Sequence, residues 1–225
     1  MKFVLLKRIK SIYNYKYAEG YRQSDDLIKT MPEYWQLREF ILKFFNKING
    51  KKSVLELGCG TGRYFHLFDG HQVDRFVGID LSEDMLQIAK YSPPYKEEIS
   101  INPILICDDF MNVTNIGKFD FVYSIGVLGE HMPFNKFIIQ HINNNFLKEG
   151  GIFIFTAVCW FHRSWKWRLI NKLFDNLKLT YLSQNFYTRD VDIIKILKSE
   201  KLRILEFQIW NEKYPHYLVA VEKNE

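Results

Sequence analysis

The chain has 225 residues, 47% of them hydrophobic and 25% charged, which is long enough for one domain with a sizeable core and too apolar for a disordered or low-complexity class. A formal net charge of +5 permits an anionic partner but falls short of an arginine-rich nucleic-acid arm. Three cysteines, Cys59, Cys107 and Cys159, show no CxxC spacing, so neither a disulfide framework nor a structural zinc is expected. The opening Met1-Lys-Phe-Val-Leu-Leu-Lys7-Arg8 is too short for a signal peptide, and no run of about 18 apolar residues follows. A cytoplasmic, non-spanning protein is expected.

In chain order, residues 1 to about 50 read as an N-terminal helical cap, with Trp35, Leu37, Phe40, Ile41, Phe44 and Phe45 as an apolar stripe. Ser53 to Leu57 reads as a buried strand that breaks into the turn Gly58-Cys-Gly60-Thr-Gly62, after which a helix is expected to begin. Phe76 to Asp80 repeats the strand pattern, and Ser82 to Tyr91 is helical, with Met85, Leu86 and Ala89 on one face. Ser92-Pro93-Pro94-Tyr95 reads as a turn. Further strands are expected at Asn102 to Cys107, Phe119 to Ser124 and Gly151 to Thr156. Residues 159 to 182 form an aromatic and basic insertion, with Trp160, Trp165 and Trp167 among Arg163, Lys166 and Arg168. A helix over Asp190 to Lys201 then precedes strands over Leu202 to Trp210 and Tyr217 to Glu222. Strands alternating with helices predict an α/β fold, a mostly parallel sheet with helices on both faces. The last two strands have no crossover between them, so they must pair antiparallel.

The glycine-rich turn is where the chemistry begins. Glycines let backbone amides approach a ligand closely, yet the spacing is GxGxG with Arg63 where the dinucleotide pattern wants Gly or Ala. Glu56 faces the same turn; its carboxylate would repel a pyrophosphate and attract an ammonium or sulfonium. These residues, Glu56-Leu-Gly58-Cys-Gly60-Thr-Gly62, resemble the first signature of the class I S-adenosylmethionine-dependent methyltransferases. The resemblance runs from roughly Lys51 to Val158 and implies a Rossmann-like seven-stranded sheet with an antiparallel C-terminal strand, the methyltransferase domain occupying 51–225.

Carried over residue by residue, the resemblance implies S-adenosylmethionine as cofactor. It places the backbone of Gly58, Gly60 and Gly62 along the methionine part and Glu56 near its amino group. Asp80 would accept both ribose hydroxyls, Leu81 and Met85 would cover the adenine ring, and Asp108 would accept from the adenine amino group while the amide of Asp109 serves the ring nitrogen. Asp109 is also an alternative for the role of Asp108. Ser124 and Ile125 would touch the methionine moiety. Tyr17 and Tyr21 fall where related enzymes place an N-terminal lid.

For the acceptor, His131 is the expected base, with Glu130 orienting it or acting in its place; a structural role is the alternative. The expected acceptor is a small molecule or a lipid-linked group, methylated at oxygen. RNA or protein methylation and a cofactor-binding module without turnover are the competing readings. Ser92-Pro93-Pro94-Tyr95 resembles the base-gripping motif of amino-methylating nucleic-acid enzymes but stands after the second strand, away from Ser124, so no nucleic-acid partner is expected. Peripheral membrane contact through residues 1 to 21 or 159 to 182 is a further expectation, against a lid or plain packing.

Overall fold

The protein is described by a computed structural model over residues 11–158, 189–210 and 215–224. The strands are β1 (Lys52–Leu57), β2 (Val73–Asp80), β3 (Ile104–Cys107), β4 (Phe119–Ser124), β5 (Leu147–Val158), β6 (Leu202–Trp210) and β7 (His216–Lys223). They form one seven-stranded sheet in the order β3-β2-β1-β4-β5-β7-β6. β1 pairs in parallel with β2 and β4, as do β2 with β3 and β4 with β5. β7 runs antiparallel between β5 and β6, because too few residues separate Trp210 from His216 for a crossover. The expected α/β architecture is what the chain adopts.

Residue parity sets the two faces. Leu55, Leu57, Val77, Ile79, Val122, Phe153 and Phe155 point into one core, which is closed by α4 (Lys136–Asn145) and α5 (Asp190–Ser199) through Ile138, Ile139, Ile142, Ile193 and Leu197. Val54, Phe76, Phe121, Tyr123, Ile152 and Ile154 point the other way, against α2 (Pro32–Phe45) and α3 (Glu83–Tyr91). Leu37, Phe40, Ile41, Phe44 and Phe45 of α2 are buried in that second core, as their spacing requires. Trp35 leaves the stripe: it is 43% exposed and its indole N–H donates to the carbonyl of Lys29. The remaining helix, α1 (Tyr15–Asp25), packs on α3.

One expectation is corrected here. No α-helix follows the glycine turn; the chain makes only a 3₁₀ turn at Phe65–Phe68. Phe65 and Phe68 are driven into the second core with Phe76, and the short connection to β2 leaves no length for further helical turns. Ser92 to Tyr95 forms the expected turn, with Tyr95 in the left-handed region at φ 55°. Among the described residues no helix is long and apolar enough to cross a membrane. Residues 159 to 182, and the first ten of the residues 1 to 21 for which membrane contact is expected, lie outside the described residues.

The second core also holds a pH-sensitive group. His66 is buried, its Nε2 lies 2.6 Å from the Tyr34 hydroxyl, and burial followed by the nearby Lys29 pushes its pKa down to about 4. Below pH 6.5 the unfolded chain takes up this proton and the folded one does not, so its contribution to stability is complete above that pH and is lost as pH falls toward 4. The loss amounts to no more than about 3 kcal/mol. Urea unfolding of wild type and His66→Gln at pH 7.5 and pH 4.5 checks this: the wild type is expected to lose more stability than the variant over that interval.

Candidate active site

The carboxyl ends of β1 to β5 open onto one cavity of about 550 Å³, which α1 roofs. That volume is within the range of about 300–1,000 Å³ usual for small-molecule sites. Its lining runs from Asp108 and Asp109 after β3, past Asp80, Leu81, Met85, Glu56, Gly58 and Gly60, to Ile125, Glu130 and His131 after β4, and on to Trp210 and His216. Tyr17 and Tyr21 line it from above. Two of the residues singled out from the sequence stand outside this lining. Gly62 turns the loop back, and a Cβ there would lie 2.5 Å from the Phe65 ring. Ser124 is buried and donates to the carbonyl of Leu57, tying β4 to β1.

The glycine turn is built for close backbone approach. Gly58 has φ +78°, and a Cβ added to it would lie 2.3 Å from Val127 Cγ2, so no side chain fits. The Gly58 and Cys59 amides donate to the carbonyl of Ile79, and the Gly60 amide donates to Asp80 at 2.8 Å. Asp80 also accepts from the Ser82 amide at 2.9 Å, so each of its oxygens carries one backbone hydrogen bond. Ser82 caps α3 by accepting from the Met85 amide, which sets Met85 against the cavity.

Electrostatically the cavity lining sets the carboxyls of Glu56, Asp80, Asp108, Asp109 and Glu130 against the guanidinium of Arg63, which is already paired with Asp25. Burial pushes the Glu56 carboxyl well above its ordinary range; the Tyr123 hydroxyl, donating at 2.7 Å, lowers it and the neighbouring Asp80 raises it further. Asp80 is likewise raised by burial, opposed by the Ser82 and Gly60 amides. With Glu56 buried and Asp80 half-buried beside it, a bound cation would favour the charged form of both. A ligand carrying an ammonium and a sulfonium fits that demand, and one carrying a pyrophosphate does not.

Asp108 uses its Oδ1 to accept from the Asp109 amide at 2.7 Å, the same amide expected to serve a ring nitrogen. A ligand at that amide therefore needs Asp108 to turn away from it.

At the far end of the cavity the expected base has a partner that sequence spacing does not suggest. His131 Nε2 lies 2.8 Å from the hydroxyl of Tyr13, a residue 118 positions earlier. Glu130 Oε1 lies 2.8 Å from Nε2 of His216, so its carboxylate orients that ring while Tyr13 orients His131. Burial lowers the His131 pKa, partly offset by Glu130 and then Asp80. Burial likewise raises Tyr13, which keeps its hydroxyl proton. The loop is fixed by its own backbone: the amides of Glu130, His131 and Met132 all donate to the carbonyl of Val127. Gly129, at φ +76°, lets this turn press against β5, where a Cβ would sit 3.0 Å from the Val158 nitrogen.

The protein-family model described as a methyltransferase domain matches residues 28–191. The chain belongs to this methyltransferase family. Its fold is that of the class I S-adenosylmethionine-dependent enzymes, as the solved structures show. A S-adenosylmethionine-dependent methyltransferase from Clostridium acetobutylicum ATCC 824 superposes with a TM-score of 0.66 at 19% identity, covering 93% of this chain and 99% of that one. The magnesium protoporphyrin IX methyltransferase of Synechocystis PCC 6803, solved with bound SAM, gives 0.61 at 18% identity over 92% and 81%. The N-methyltransferase NodS from Bradyrhizobium japonicum WM9 gives 0.58 at 16% over 86% and 98%. A search of curated proteins finds no match.

Sequence reading alone did not reach several residues of this methyltransferase cavity. Tyr13, Trp210, His216 and Thr156 line it. Tyr13 carried a readable signal: Tyr13, Tyr17 and Tyr21 recur every fourth residue, and Tyr13, just ahead of the α1 N-cap, lines up with Tyr17 and Tyr21 of the helix, with ring centroids 4.8 and 6.0 Å apart. Trp210 and His216 face each other across the closing hairpin, at 5.8 Å between ring centroids, and carried no local signal.

Proposed function

We propose that this methyltransferase carries a methyl group from S-adenosylmethionine to the oxygen of a small-molecule acceptor, with the acceptor's proton leaving through His131. One observation supports the reading above others: the acidic cradle at β1 and β2 and the half-buried His131 open onto the same cavity. The cofactor supplies an electrophilic methyl on a positively charged sulfur. Glu56 would face its ammonium, Asp80 its ribose hydroxyls, Leu81 and Met85 its adenine, and Gly58, Gly60 and Ile125 its methionine chain. Tyr17 and Tyr21 would cover it.

The acceptor half is walled by Val127, His131, Met132, Thr156, Trp210 and His216. There the acceptor oxygen forms its bond to the methyl carbon as the carbon–sulfur bond breaks and its electron pair stays on sulfur. Nε2 of neutral His131 is engaged by the Tyr13 hydroxyl, so the proton reaches it in two moves: Tyr13 gives its own proton to Nε2 and takes the acceptor's. Alignment and exclusion of water by α1 complete the requirement.

Thermal unfolding with S-adenosylmethionine and S-adenosylhomocysteine tests the cofactor half. At about 100 times Kd either is expected to raise Tm by roughly 5–10 °C, since about 2.7 kcal/mol of linkage corresponds to a few degrees per kcal/mol in a chain of this size. No shift with either compound, or a shift with NAD alone, overturns the reading. Methyl-labelled cofactor with a panel of hydroxyl and amine acceptors then reports the methylated atom.

A further inference from the structure

Arg63 breaks the dinucleotide pattern, and the structure supplies the reason: its partner is Asp25, at the end of α1. The Asp25 side chain is completely buried and both of its oxygens go to the glycine turn, Oδ2 to the Thr61 hydroxyl at 2.7 Å and Oδ1 to Arg63 Nε at 2.5 Å. Its backbone carbonyl accepts from the Tyr95 hydroxyl at 2.9 Å. The Arg63 guanidinium also lies over the Tyr21 ring, 4.3 Å from its centroid. Arg22, one turn earlier on α1, donates to the carbonyl of Ser92 at 2.7 Å. At the other end of the segment the Ser82 hydroxyl donates to the carbonyl of Tyr13 at 2.5 Å.

These contacts have a common geometry. The helix whose tyrosines roof the cavity is fastened to the turn that forms its floor, and the fastening carboxylate does not itself line the cavity. Burial alone raises the Asp25 carboxyl, and Arg63 and Thr61 pull it back, so the acid is held in place by those two residues. A buried pair of this kind is a weak source of stability and a strong source of geometry.

We propose that Asp25 is a positioning residue for cofactor capture: through Arg63 and Thr61 it clamps α1 onto the glycine turn, so that Tyr17 and Tyr21 close over bound S-adenosylmethionine. The clamp rests on the cofactor reading above. An Asp25→Asn side chain keeps the shape and can still meet Thr61, whose hydroxyl also accepts, but it removes the negative charge that pairs with Arg63. Arg63→Lys keeps the charge and loses the planar stack on Tyr21.

The test is calorimetric titration with S-adenosylhomocysteine and hydrogen exchange of residues 11–25, on wild type, Asp25→Asn and Arg63→Lys. Wild type is expected to bind and to slow exchange in α1. Asp25→Asn is expected to weaken binding by about tenfold or more and to lose that slowing, while amides of β1 and β4 stay protected; Arg63→Lys should fall between. With an acceptor in hand, KM for the cofactor should rise and kcat at saturation should hold. If Asp25→Asn loses protection in β1 and β4, Arg63→Lys decides by the same readout. Unchanged affinity in the folded variants, or α1 opening without loss of affinity, overturns the clamp. Failure of wild type to bind overturns the cofactor reading as well, and is recognised before any variant is made.

Discussion

His131→Ala is expected to lower kcat by about a hundredfold or more, the usual contribution of a positioned general base, while changing S-adenosylhomocysteine affinity much less. The ring is half-buried beside Tyr13 and its pKa is lowered, so it is neutral and competent at pH 7. The sign of the pH effect follows from that direction. A base with a depressed pKa keeps its lone pair to lower pH than an ordinary histidine, so the acid limb of the rate profile should fall below pH 6.5. The limb should be missing from the residual activity of the variant. Tyr13→Phe separates relay from scaffold: it retains the ring packing on Tyr17 and His131 but removes the hydroxyl that engages Nε2. Steady-state rates of the two variants on an identified acceptor decide the matter. Wild-type turnover in His131→Ala would exclude the base role, and full activity in Tyr13→Phe would leave His131 acting directly.

Asp80→Ala is expected to weaken cofactor binding by about ten- to a hundredfold, the equivalent of about 1.5–3 kcal/mol for hydrogen bonds to a charged group. Besides its proposed place at the ribose, the carboxylate accepts from the Gly60 and Ser82 amides, so its loss also frees the glycine turn and the start of α3. Its raised pKa has a consequence of its own. Binding of a cationic, hydroxyl-donating ligand favours the ionised form, so wild-type affinity should fall as pH drops through the raised value, and Asp80→Ala should lack that component. Because the substitution leaves the Gly60 and Ser82 amides without this acceptor, the variant should unfold somewhat below the wild-type temperature in the absence of cofactor. Calorimetry across pH 5 to 8 gives both quantities, and an affinity unaltered by the substitution would remove Asp80 from the site.

Several parts of this molecule can be read directly from local pattern. Alternating inward and outward side chains in β1, β4 and β5 identify strands with two buried faces, and turn residues bound them. The acidic residue ahead of Gly58-Cys-Gly60 marks the turn beneath the cavity, and a strand-end Asp80 with Ser82 capping the next helix marks its neighbour. Helix α4 was not singled out from the sequence, although Asn135 caps it and Ile138, Ile139 and Ile142 mark its apolar face. The 3₁₀ turn at Phe65–Phe68 was not legible, because aromatic residues there could serve a helix or a core, and only the position of Phe76 and Tyr123 chooses the core.

Local order along the chain therefore specifies the sheet, the glycine turn and the acidic character of its rim, because each depends on residues within a few positions of one another. The pairs Tyr13 with His131, Glu130 with His216 and Asp25 with Arg63 are different in kind. Their members are separated by 118, 86 and 38 positions, and they meet only after strands and helices have packed. Hydrogen bonds act over about 3 Å, a range no one-dimensional spacing encodes. Which base is oriented, by which partner, and which helix closes the cavity were thus decided by the assembled fold.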